Sequence, residues 1–314
     1  MNKQDEMLSI VIPAFNEQDM IAQTSTYVNR IMEKENIPFE IIFIDDGSTD
    51  QTWQKIQEQS SLYDDVRGIS FSKNFGKESA IFAGLKNAKG ACCAVMDCDL
   101  QHPPETIVEM YQYWKQGYEV VEGVKLDRGN ESAIHKACAA IFYDIMSKAT
   151  GIEMGRASDF KLMDRKAVDA ILDLKEKNAF FRALSSWVGF KTKSVEFAVH
   201  ERVTGESKWS TWSLIKYALT NISSFSAAPM QMVTFIGIFM LMISFILGFF
   251  SMYQKIVGIA LEGFTTIIIL QLFSGSIIMV SLGIIGFYIA KIYEEIKNRP
   301  RYIISEYCGK EENN

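Results

Sequence analysis

The sequence predicts an α/β protein with a mostly parallel sheet flanked by helices, followed near the C-terminus by a hairpin of two transmembrane helices. Apolar runs rich in β-branched residues alternate with helical stretches in the N-terminal third of the chain. No charged residue stands between Lys216 and Lys255 or between Glu262 and Lys291, and each stretch is long enough to span a bilayer. The 314 residues carry 32 basic and 38 acidic side chains, and this net charge of −6 argues against nucleic acid as a partner.

The N-terminal elements follow from the apolar runs and from the turn residues between them. Four short apolar runs predict buried strands, and amphipathic stretches between them predict helices. Strands that are apolar throughout and joined by helices are typical of a parallel sheet covered on both faces. The predicted strands are 8–15, 39–46, 66–71 and 91–97, and the predicted helices are 17–34, 52–59 and 77–88.

Polar side chains collect where these strands end, which is the edge at which open α/β sheets bind ligands. Asp45 and Asp46 end the second strand, and Asp97 and Asp99 end the fourth. No GxGxxG follows the first strand and no GxxxxGK[ST] occurs in the chain. A site at this edge would therefore handle phosphates without a glycine-rich phosphate loop.

The run Asp97-Cys98-Asp99 places two carboxylates on the same side of an extended segment, because side chains alternate with period two. Both can reach one cation. Hard oxygen ligands suit Mg²⁺ or Mn²⁺, which keep coordination positions open for the oxygens of a diphosphate. Gln101 lies one step further along the same face and is a candidate third ligand.

Six segments in order resemble the successive motifs of the family 2 glycosyltransferases. Within that family the similarity is to the polyprenyl-phosphate glycosyltransferases, a dolichol-phosphate-mannose-synthase-like group that includes bacterial enzymes acting on undecaprenyl phosphate. The resemblance implies a GT-A-type fold for residues 1–207. The segments are VIPAFNE (11–17), IDDGSTD (44–50), KNFGKESAIFAG (73–84), DCDLQHPPE (97–105), ASDFKLMDRKAVDAI (157–171) and ERVTGESKWS (201–210).

On matching positions, the resemblance implies a nucleotide-sugar pocket and a divalent cation, Mg²⁺ or Mn²⁺, on the donor diphosphate. Phe15 stands where the family usually has Tyr, so only ring contact is expected from it. His102 departs from the family's common Asp and is interpreted as a loop residue without a role. The implied nucleotide-sugar residues are Pro13, Phe15, Glu17, Asp45, Asp46, Lys77 and Asp97, and the implied metal ligands are Asp97, Asp99 and Gln101.

Asp159 matches the acidic residue that family 2 enzymes place near the acceptor as general base, which makes it the third candidate catalytic residue beside Asp97 and Asp99. A sugar hydroxyl must lose a proton to attack, whereas a phosphate monoester is largely a dianion already at neutral pH. The alternative interpretation is that Asp159 positions an arginine or the acceptor.

The acceptor side calls for cations, because a lipid phosphate is negatively charged and Arg binds such oxygens in a bidentate manner. Three further arginines, at 156, 165 and 182, are left open as candidates. The positions where the resemblance implies acceptor-phosphate binding are Lys125, Arg128, Ser132, Arg202 and Lys208.

The C-terminal third predicts a membrane anchor. The predicted spans are about 230–250 and 264–290 within a region 227–292, with an interfacial amphipathic helix at 208–226 and a cytoplasmic tail at 293–314. Basic residues flank the outer ends of the spans while Lys255 is the one basic residue in the connecting loop, so both termini are expected in the cytoplasm. Small residues in the second span, such as Gly283 and Gly286, allow helix contact, and a homo-oligomer through the membrane helices is one expectation.

Together these features predict a multi-pass protein of the cell membrane. By resemblance, it transfers a single hexose-type sugar with inversion from UDP-glucose or UDP-N-acetylglucosamine to undecaprenyl or another polyprenyl phosphate at the cytoplasmic face. Two alternatives stay open at this point. One is a family 2 enzyme with a polysaccharide or other acceptor, and the other is a non-catalytic, membrane-anchored nucleotide-binding scaffold.

Overall fold

The computed structural model describes residues 6–125, 158–174, 181–198, 228–258, 263–297 and 299–309. These residues fall into two compact units. The first comprises the residues up to position 198 together with 299–309, and the second comprises 228–258 and 263–297.

The first unit is built on an eight-stranded sheet in the order β7-β5-β6-β4-β1-β2-β3-β8. Its strands are β1 (Leu8–Ala14), β2 (Phe39–Asp45), β3 (Val66–Phe71), β4 (Cys92–Val95), β5 (Val120–Lys125), β6 (Lys161–Asp164), β7 (Thr192–Phe197) and β8 (Ile304–Cys308). Its helices are α1 (Ile21–Lys34), α2 (Thr52–Leu62), α3 (Lys77–Asn87), α4 (Pro104–Lys115), α5 (Arg165–Leu172) and α6 (Phe181–Trp187).

The four predicted strands are confirmed, and they form the parallel centre of the sheet. β1 pairs with β2 on one side and with β4 on the other, and β2 pairs with β3, all in parallel. Apart from Pro13, the apolar residues of these strands are buried, as expected for strands covered on both faces. The class predicted from the sequence, a mostly parallel sheet flanked by helices, is therefore the class observed.

The sixth strand runs against this direction and determines which residues meet at the ligand edge. β6 lies antiparallel to β4, with Cys92 opposite Asp164 and Val95 opposite Lys161. An antiparallel neighbour begins where its partner ends. The segment that leads into β6 therefore lies at the carboxyl end of β4, and continuing the register by two residues sets Asp159 opposite Asp97.

Helix α3 packs closely on the centre of the sheet because its inward face is made of small residues. Gly84 faces Val11 of β1, and a Cβ at this glycine would lie 2.2 Å from a Val11 methyl carbon. Ala80 and Ala83 on the same helix are fully buried. This close approach fixes the N-terminus of α3, where Lys77 stands, beside the ends of the parallel strands.

The residues after the second predicted span form a strand, although the sequence suggested only a tail at 293–314. β8 pairs antiparallel with β3, from Gly68 opposite Cys308 to Phe71 opposite Ile304. The Tyr302 ring stacks on Phe71 with centroids 5.0 Å apart. The Trp53 indole donates to Glu306 across 2.8 Å. The short strand has exposed polar residues and a partner far away in the sequence, so its local pattern gave no signal.

The second unit consists of helices α7 (Ala228–Val257) and α8 (Phe264–Ile296). Large apolar side chains such as Phe239, Phe249 and Val280 are exposed along both helices. Among the described residues, one segment passes the test of length and composition for a membrane span, Phe273–Ala290 with a mean hydropathy of 1.9, and a shorter apolar segment is Phe235–Phe250. Both predicted spans fall within these helices, and a double crossing stays a prediction. The predicted interfacial helix at 208–226 lies outside the described residues.

Removing β8 should destabilise the first unit, because the outer edge of β3 loses its strand partner and Phe71 loses the Tyr302 ring. A chain ending at residue 298 should unfold at least about 4 °C below the full chain, equivalent to a loss of one or two kcal/mol. The measurement is thermal unfolding in detergent. A chain ending at residue 309 is the control and should unfold with the full chain. Equal midpoints for both truncations would show that β8 adds no stability.

Candidate functional site

A cavity of about 310 Å³ opens at the carboxyl ends of β1, β2 and β4. This is the edge of the sheet where the sequence predicted a site, and the volume is at the lower end of the range for small-molecule sites. The cavity brings together most of the residues assigned to the donor and the metal. The lining residues are Pro13, Ala14, Phe15, Glu17, Asp46, Asn74, Gly76, Lys77, Asp97, Cys98 and Asp99.

Phe15 forms an apolar wall of this cavity, with 45 % of its surface exposed. The next residue, Asn16, has a positive φ of 55°, which turns the chain sharply at the end of β1. The Asn16 side chain accepts the Thr49 N–H at 2.9 Å, and the Asn16 N–H donates to Ser48 at 2.9 Å. The loops after β1 and β2 are thus tied together and hold the ring at the mouth of the cavity.

The two aspartates at the end of β2 have different positions. Asp46 lines the cavity, and its carboxylate accepts the N–H groups of Phe75 at 2.7 Å and Gly76 at 2.9 Å. Burial raises the pKa of Asp46 in spite of these bonds. Asp45 was assigned to the nucleotide but is not among the cavity residues. Its carboxylate accepts from Ser48 and Ser70 inside the fold, so it shapes the turn after β2.

The ammonium group of Lys77 lies between the two carboxylates that the antiparallel register brings opposite each other. It is 2.5 Å from Asp97 Oδ1 and 3.3 Å from Asp159 Oδ2. Burial lowers the pKa of Lys77, but the two carboxylates outweigh it and leave that pKa above its usual value. Burial likewise raises the pKa of Asp97, and Lys77 outweighs it, so the net shift is downward.

Asp159 makes a second ion pair, with Arg182 of α6. The Arg182 Nε and Nη2 atoms donate to the two carboxylate oxygens at 3.1 and 2.9 Å. Burial would raise the pKa of Asp159, but the two cations hold it well below its usual range. A carboxylate stabilised in this way is a weak proton acceptor. The geometry therefore favours the interpretation in which Asp159 positions an arginine over the one in which it is a general base.

The predicted metal ligands divide into two that reach the cavity and one that does not. Asp97 and Asp99 line it, whereas Gln101 contributes its backbone N–H to Asp99 Oδ1 at 3.1 Å and is not a lining residue. Cys98 lines the cavity too, but burial raises the pKa of its thiol, which keeps it protonated. In the described part of the chain, no three His, Cys, Asp or Glu side chains converge on one point. Two carboxylates fit Mg²⁺ or Mn²⁺, which take their remaining ligands from phosphate and water.

Comparison with known proteins shows the family to which this chain belongs. The sequence pattern of glycosyl transferase family 2 matches residues 9–172, which contain the whole Asp97 loop and, except for Leu8, the first six strands. The chain belongs to this family. It is 40 % identical over 303 residues to the glycosyltransferase YkcC of Bacillus subtilis, covering 96 % of this chain and 94 % of that protein.

One further relative and one solved structure are also similar to this chain. The chain is 37 % identical over 301 residues to the SfII prophage-derived bactoprenol glucosyl transferase of Shigella flexneri, covering 95 % of this chain and 97 % of that one. A crystal structure of glucosyl-3-phosphoglycerate synthase from Mycobacterium tuberculosis superposes with a TM-score of 0.47 at 16 % identity, over 71 % of this chain and 80 % of that one. The family assignment rests on the sequence matches, and it makes the chain a glycosyltransferase.

His102 lies next to the Asp97 loop of this site, in a buried position that sequence reasoning missed. It was interpreted as a loop residue without a role, but its side chain is only 4 % exposed and its Nδ1 accepts the Asp97 N–H at 3.2 Å. Burial lowers the pKa of His102, which keeps the imidazole neutral. The chain reverses at Leu100, where φ is 56°, and returns residue 102 beneath residue 97.

The acceptor-side predictions are placed only in part. Arg128, Ser132, Arg202 and Lys208, and also Arg156, lie outside the described residues. Lys125 is the last residue of β5 and is exposed. Arg165 donates to the carbonyls of Ala88 and Gly90 before β4, at the opposite end of the sheet from the cavity. Arg182 is the open candidate that the structure brings to the site.

Lys161 contacts α6 and is a second residue that sequence reasoning missed. Its ammonium is fully buried, 2.8 Å from Glu122 and 2.5 Å from Ser185 of α6. Burial lowers the pKa of Lys161. A lysine in a four-residue strand resembles an edge position in sequence, whereas here the strand is central and the charge is paired. This contact fixes the helix that carries Arg182.

Glu78 lies beside the ion pairs of Asp159. Because of this residue, the stability of the folded protein should fall as the pH rises from 5 to 8. Glu78 accepts the Phe181 N–H at 2.8 Å, and burial, with Asp159 second, raises its pKa to about 7 from the ordinary 4.5. The folded state therefore holds a proton that the unfolded chain releases near pH 4.5, and this stabilisation is lost as the pH rises through 7.

Glu78→Gln keeps an acceptor oxygen for Phe181 without ionising. At pH 8 it should be more stable than the wild type by on the order of 3 kcal/mol, and at pH 5 the difference should be much smaller, because Glu78 is then protonated in the folded state and only partly ionised in the unfolded chain. Thermal unfolding in detergent across this range is the measurement, with Glu109→Gln on the exposed side of α4 as the matched control. If the difference in stability between Glu78→Gln and the wild type does not change with pH, the pKa of Glu78 is not raised in the folded protein.

Proposed function

We propose that this glycosyltransferase transfers one hexose from a UDP-sugar, either UDP-glucose or UDP-N-acetylglucosamine, to the phosphate of undecaprenol or a similar polyprenol. The observation that carries this proposal is the near full-length similarity to proteins named bactoprenol glucosyl transferase, which extends through both apolar helices of this chain. The similarity thus extends beyond the sheet that family 2 members share. It includes the two apolar helices, which an enzyme with a lipid acceptor would require.

On the donor side, the cavity offers an apolar wall and two carboxylates at its floor. Phe15 would contact the nucleotide base through its ring, with Pro13, Glu17 and Asp46 completing the pocket. Asp97 and Asp99 would hold the divalent cation, Mg²⁺ or Mn²⁺. A cation bound there supplies positive charge that stabilises the departing diphosphate. Lys77, already 2.5 Å from Asp97, adds a second positive charge at the same place.

On the acceptor side, positively charged side chains that bind the lipid phosphate are more important than a general base. A lipid phosphate already carries the negative oxygen that attacks. That oxygen forms a bond to the anomeric carbon while the bond from this carbon to the donor phosphate breaks on the opposite face, which inverts the configuration. Arg182, held in place by Asp159, is the described cation suited to orient that phosphate, with Arg128, Arg202 and Lys208 proposed alongside it.

We also propose that α7 and α8 both cross the cell membrane and that both termini are cytoplasmic. Support comes from β8, because its hydrogen bonds to β3 put residues 304–308 in the same sheet as the N-terminal strands. A sheet cannot be divided by a bilayer, so the chain between residue 198 and residue 304 crosses an even number of times. Two apolar helices between these points fit a double crossing.

The direct test is transfer of radiolabelled sugar to undecaprenyl phosphate in detergent with Mg²⁺, supplied in turn with UDP-glucose and UDP-N-acetylglucosamine. The wild type should give one lipid-linked product. Asp99→Asn should reduce its formation at least about a hundredfold, since a cation ligand beside the leaving group is lost. Asp173→Asn, an exposed carboxylate at the end of α5, is the control and should leave the rate unchanged.

Failure would be informative in two ways. Intact UDP binding with no lipid-linked product from either donor would exclude the proposed acceptor and favour a polysaccharide acceptor or a binding scaffold. A product that forms equally well with Asp99→Asn would exclude the proposed metal ligand while leaving the transferase activity in place.

A further inference from the structure

His102 lies in an aromatic box that joins three separate segments of the chain. Its ring stacks on Phe160 with centroids 4.5 Å apart and planes 4° from parallel. It meets Phe197 edge to face at 5.6 Å, and Phe160 meets Phe197 in the same way at 5.2 Å. We use aromatic box below for these three side chains. They come from the loop after β4, the residue before β6 and the last residue of β7.

The loop that carries the two candidate metal ligands is closed at both ends by hydrogen bonds. His102 Nδ1 accepts the Asp97 N–H at 3.2 Å, and Asp99 Oδ1 accepts the Gln101 N–H at 3.1 Å. The Thr24 hydroxyl of α1 also donates to the Cys98 carbonyl at 2.7 Å. An acceptor Nδ1 has a free lone pair, so the ring proton must be on Nε2. Among these bonds, the one from His102 fixes the backbone of Asp97 itself.

The ring face of His102 contacts Phe160 and so supports the second carboxylate of the site, Asp159. Phe160 directly follows Asp159, so the position of its ring sets the position of the Asp159 backbone. Through one side chain, the chain thus fixes both the Asp97 loop and the Asp159 segment. Their separation determines whether the Lys77 ammonium can contact both carboxylates, as it does at 2.5 and 3.3 Å.

The space for the aromatic box depends on a glycine in β5. A Cβ at Gly123 would lie 2.5 Å from Phe160 Cδ1 and 3.0 Å from both Phe197 and Met110. Real Cβ atoms do not approach ring atoms so closely, so any larger residue would displace the box. The aromatic box therefore depends on the absence of a side chain at this position of β5 as well as on the loop after β4.

We propose that His102 is a positioning residue for the glycosyl transfer. Its Nδ1 holds the Asp97 backbone and its ring face holds the Asp159 segment, so that Asp97 and Asp99 are presented together to the cation and diphosphate of the donor. This inference rests on the proposed function for those two aspartates, and it assigns His102 no contact with substrate. It predicts that His102 sets the affinity for the cation and nucleotide together.

Two substitutions separate the hydrogen bond from the ring. His102→Asn places an acceptor oxygen near the Nδ1 position but lacks the ring, and His102→Phe keeps the ring but has no acceptor. The probe is Mn²⁺ with UDP, measured on the full chain in detergent by the loss of the free Mn²⁺ paramagnetic resonance signal. Thermal unfolding of each variant is measured in parallel. Asp99→Asn serves as the control for the site that the probe reports.

The proposal predicts opposite patterns for the two variants. His102→Phe should lose less stability than His102→Asn, because it keeps the ring, but it should bind Mn²⁺ and UDP about tenfold more weakly than the wild type, the effect of losing one buried hydrogen bond. His102→Asn should unfold at a lower temperature yet bind within about threefold of the wild type, because the acceptor is retained. A purely structural role would move binding and stability together.

Each outcome decides the proposal or the function beneath it. Wild-type binding by His102→Phe, with binding lost in Asp99→Asn, would overturn the role of His102 alone. Wild-type binding by Asp99→Asn would instead overturn the proposed metal ligands. If His102→Phe does not fold, His102→Asn is compared with His102→Ala, and the proposal requires the Asn variant to bind at least about fivefold more tightly.

Discussion

The site depends on one ammonium group placed between two carboxylates. The antiparallel pairing of β6 with β4 brings Asp97 and Asp159 opposite each other, and like charges at this separation would repel strongly in a partly buried site. Lys77 removes this conflict by contacting both. Its own position follows from the close packing of α3 on β1 at Gly84. The site therefore depends on three features together: the small residues of α3, the antiparallel direction of β6 and the positive charge of Lys77.

The same cluster explains how the family 2 site can suit a phosphate acceptor. Asp159 is committed to Lys77 and to Arg182, and Arg182 is carried by a short helix that the buried Lys161 fixes at Ser185. Asp159 is therefore paired with two cations, and its carboxylate is a weak proton acceptor. That is appropriate to an acceptor that already has a negatively charged oxygen, and it is less appropriate to a sugar hydroxyl.

The parallel centre of the sheet and the placement of Asp97 and Asp99 at its edge could be predicted from the sequence. Four strands are apolar throughout, and the carboxyl ends of parallel strands meet at one edge regardless of their order. The remaining features depend on contacts between residues distant in sequence. Nothing local indicates that β8 pairs with β3, that Asp159 faces Arg182, or that His102 lies under Phe160. Asp45 and Gln101 lie in the expected motifs but are not among the residues that line the cavity, so a motif alone does not determine which way a side chain faces.

The effect of Asp97→Asn on stability, measured in two backgrounds, shows whether Lys77 holds the two carboxylates together. In the wild type this substitution removes the partner of Lys77 and should lower the unfolding temperature measured in detergent. With Lys77→Met already present, Asp97 and Asp159 face each other without a cation between them. The same Asp97→Asn change should then raise the unfolding temperature, because it removes the repulsion. If Asp97→Asn lowers the unfolding temperature equally in both backgrounds, Lys77 does not hold the two carboxylates together.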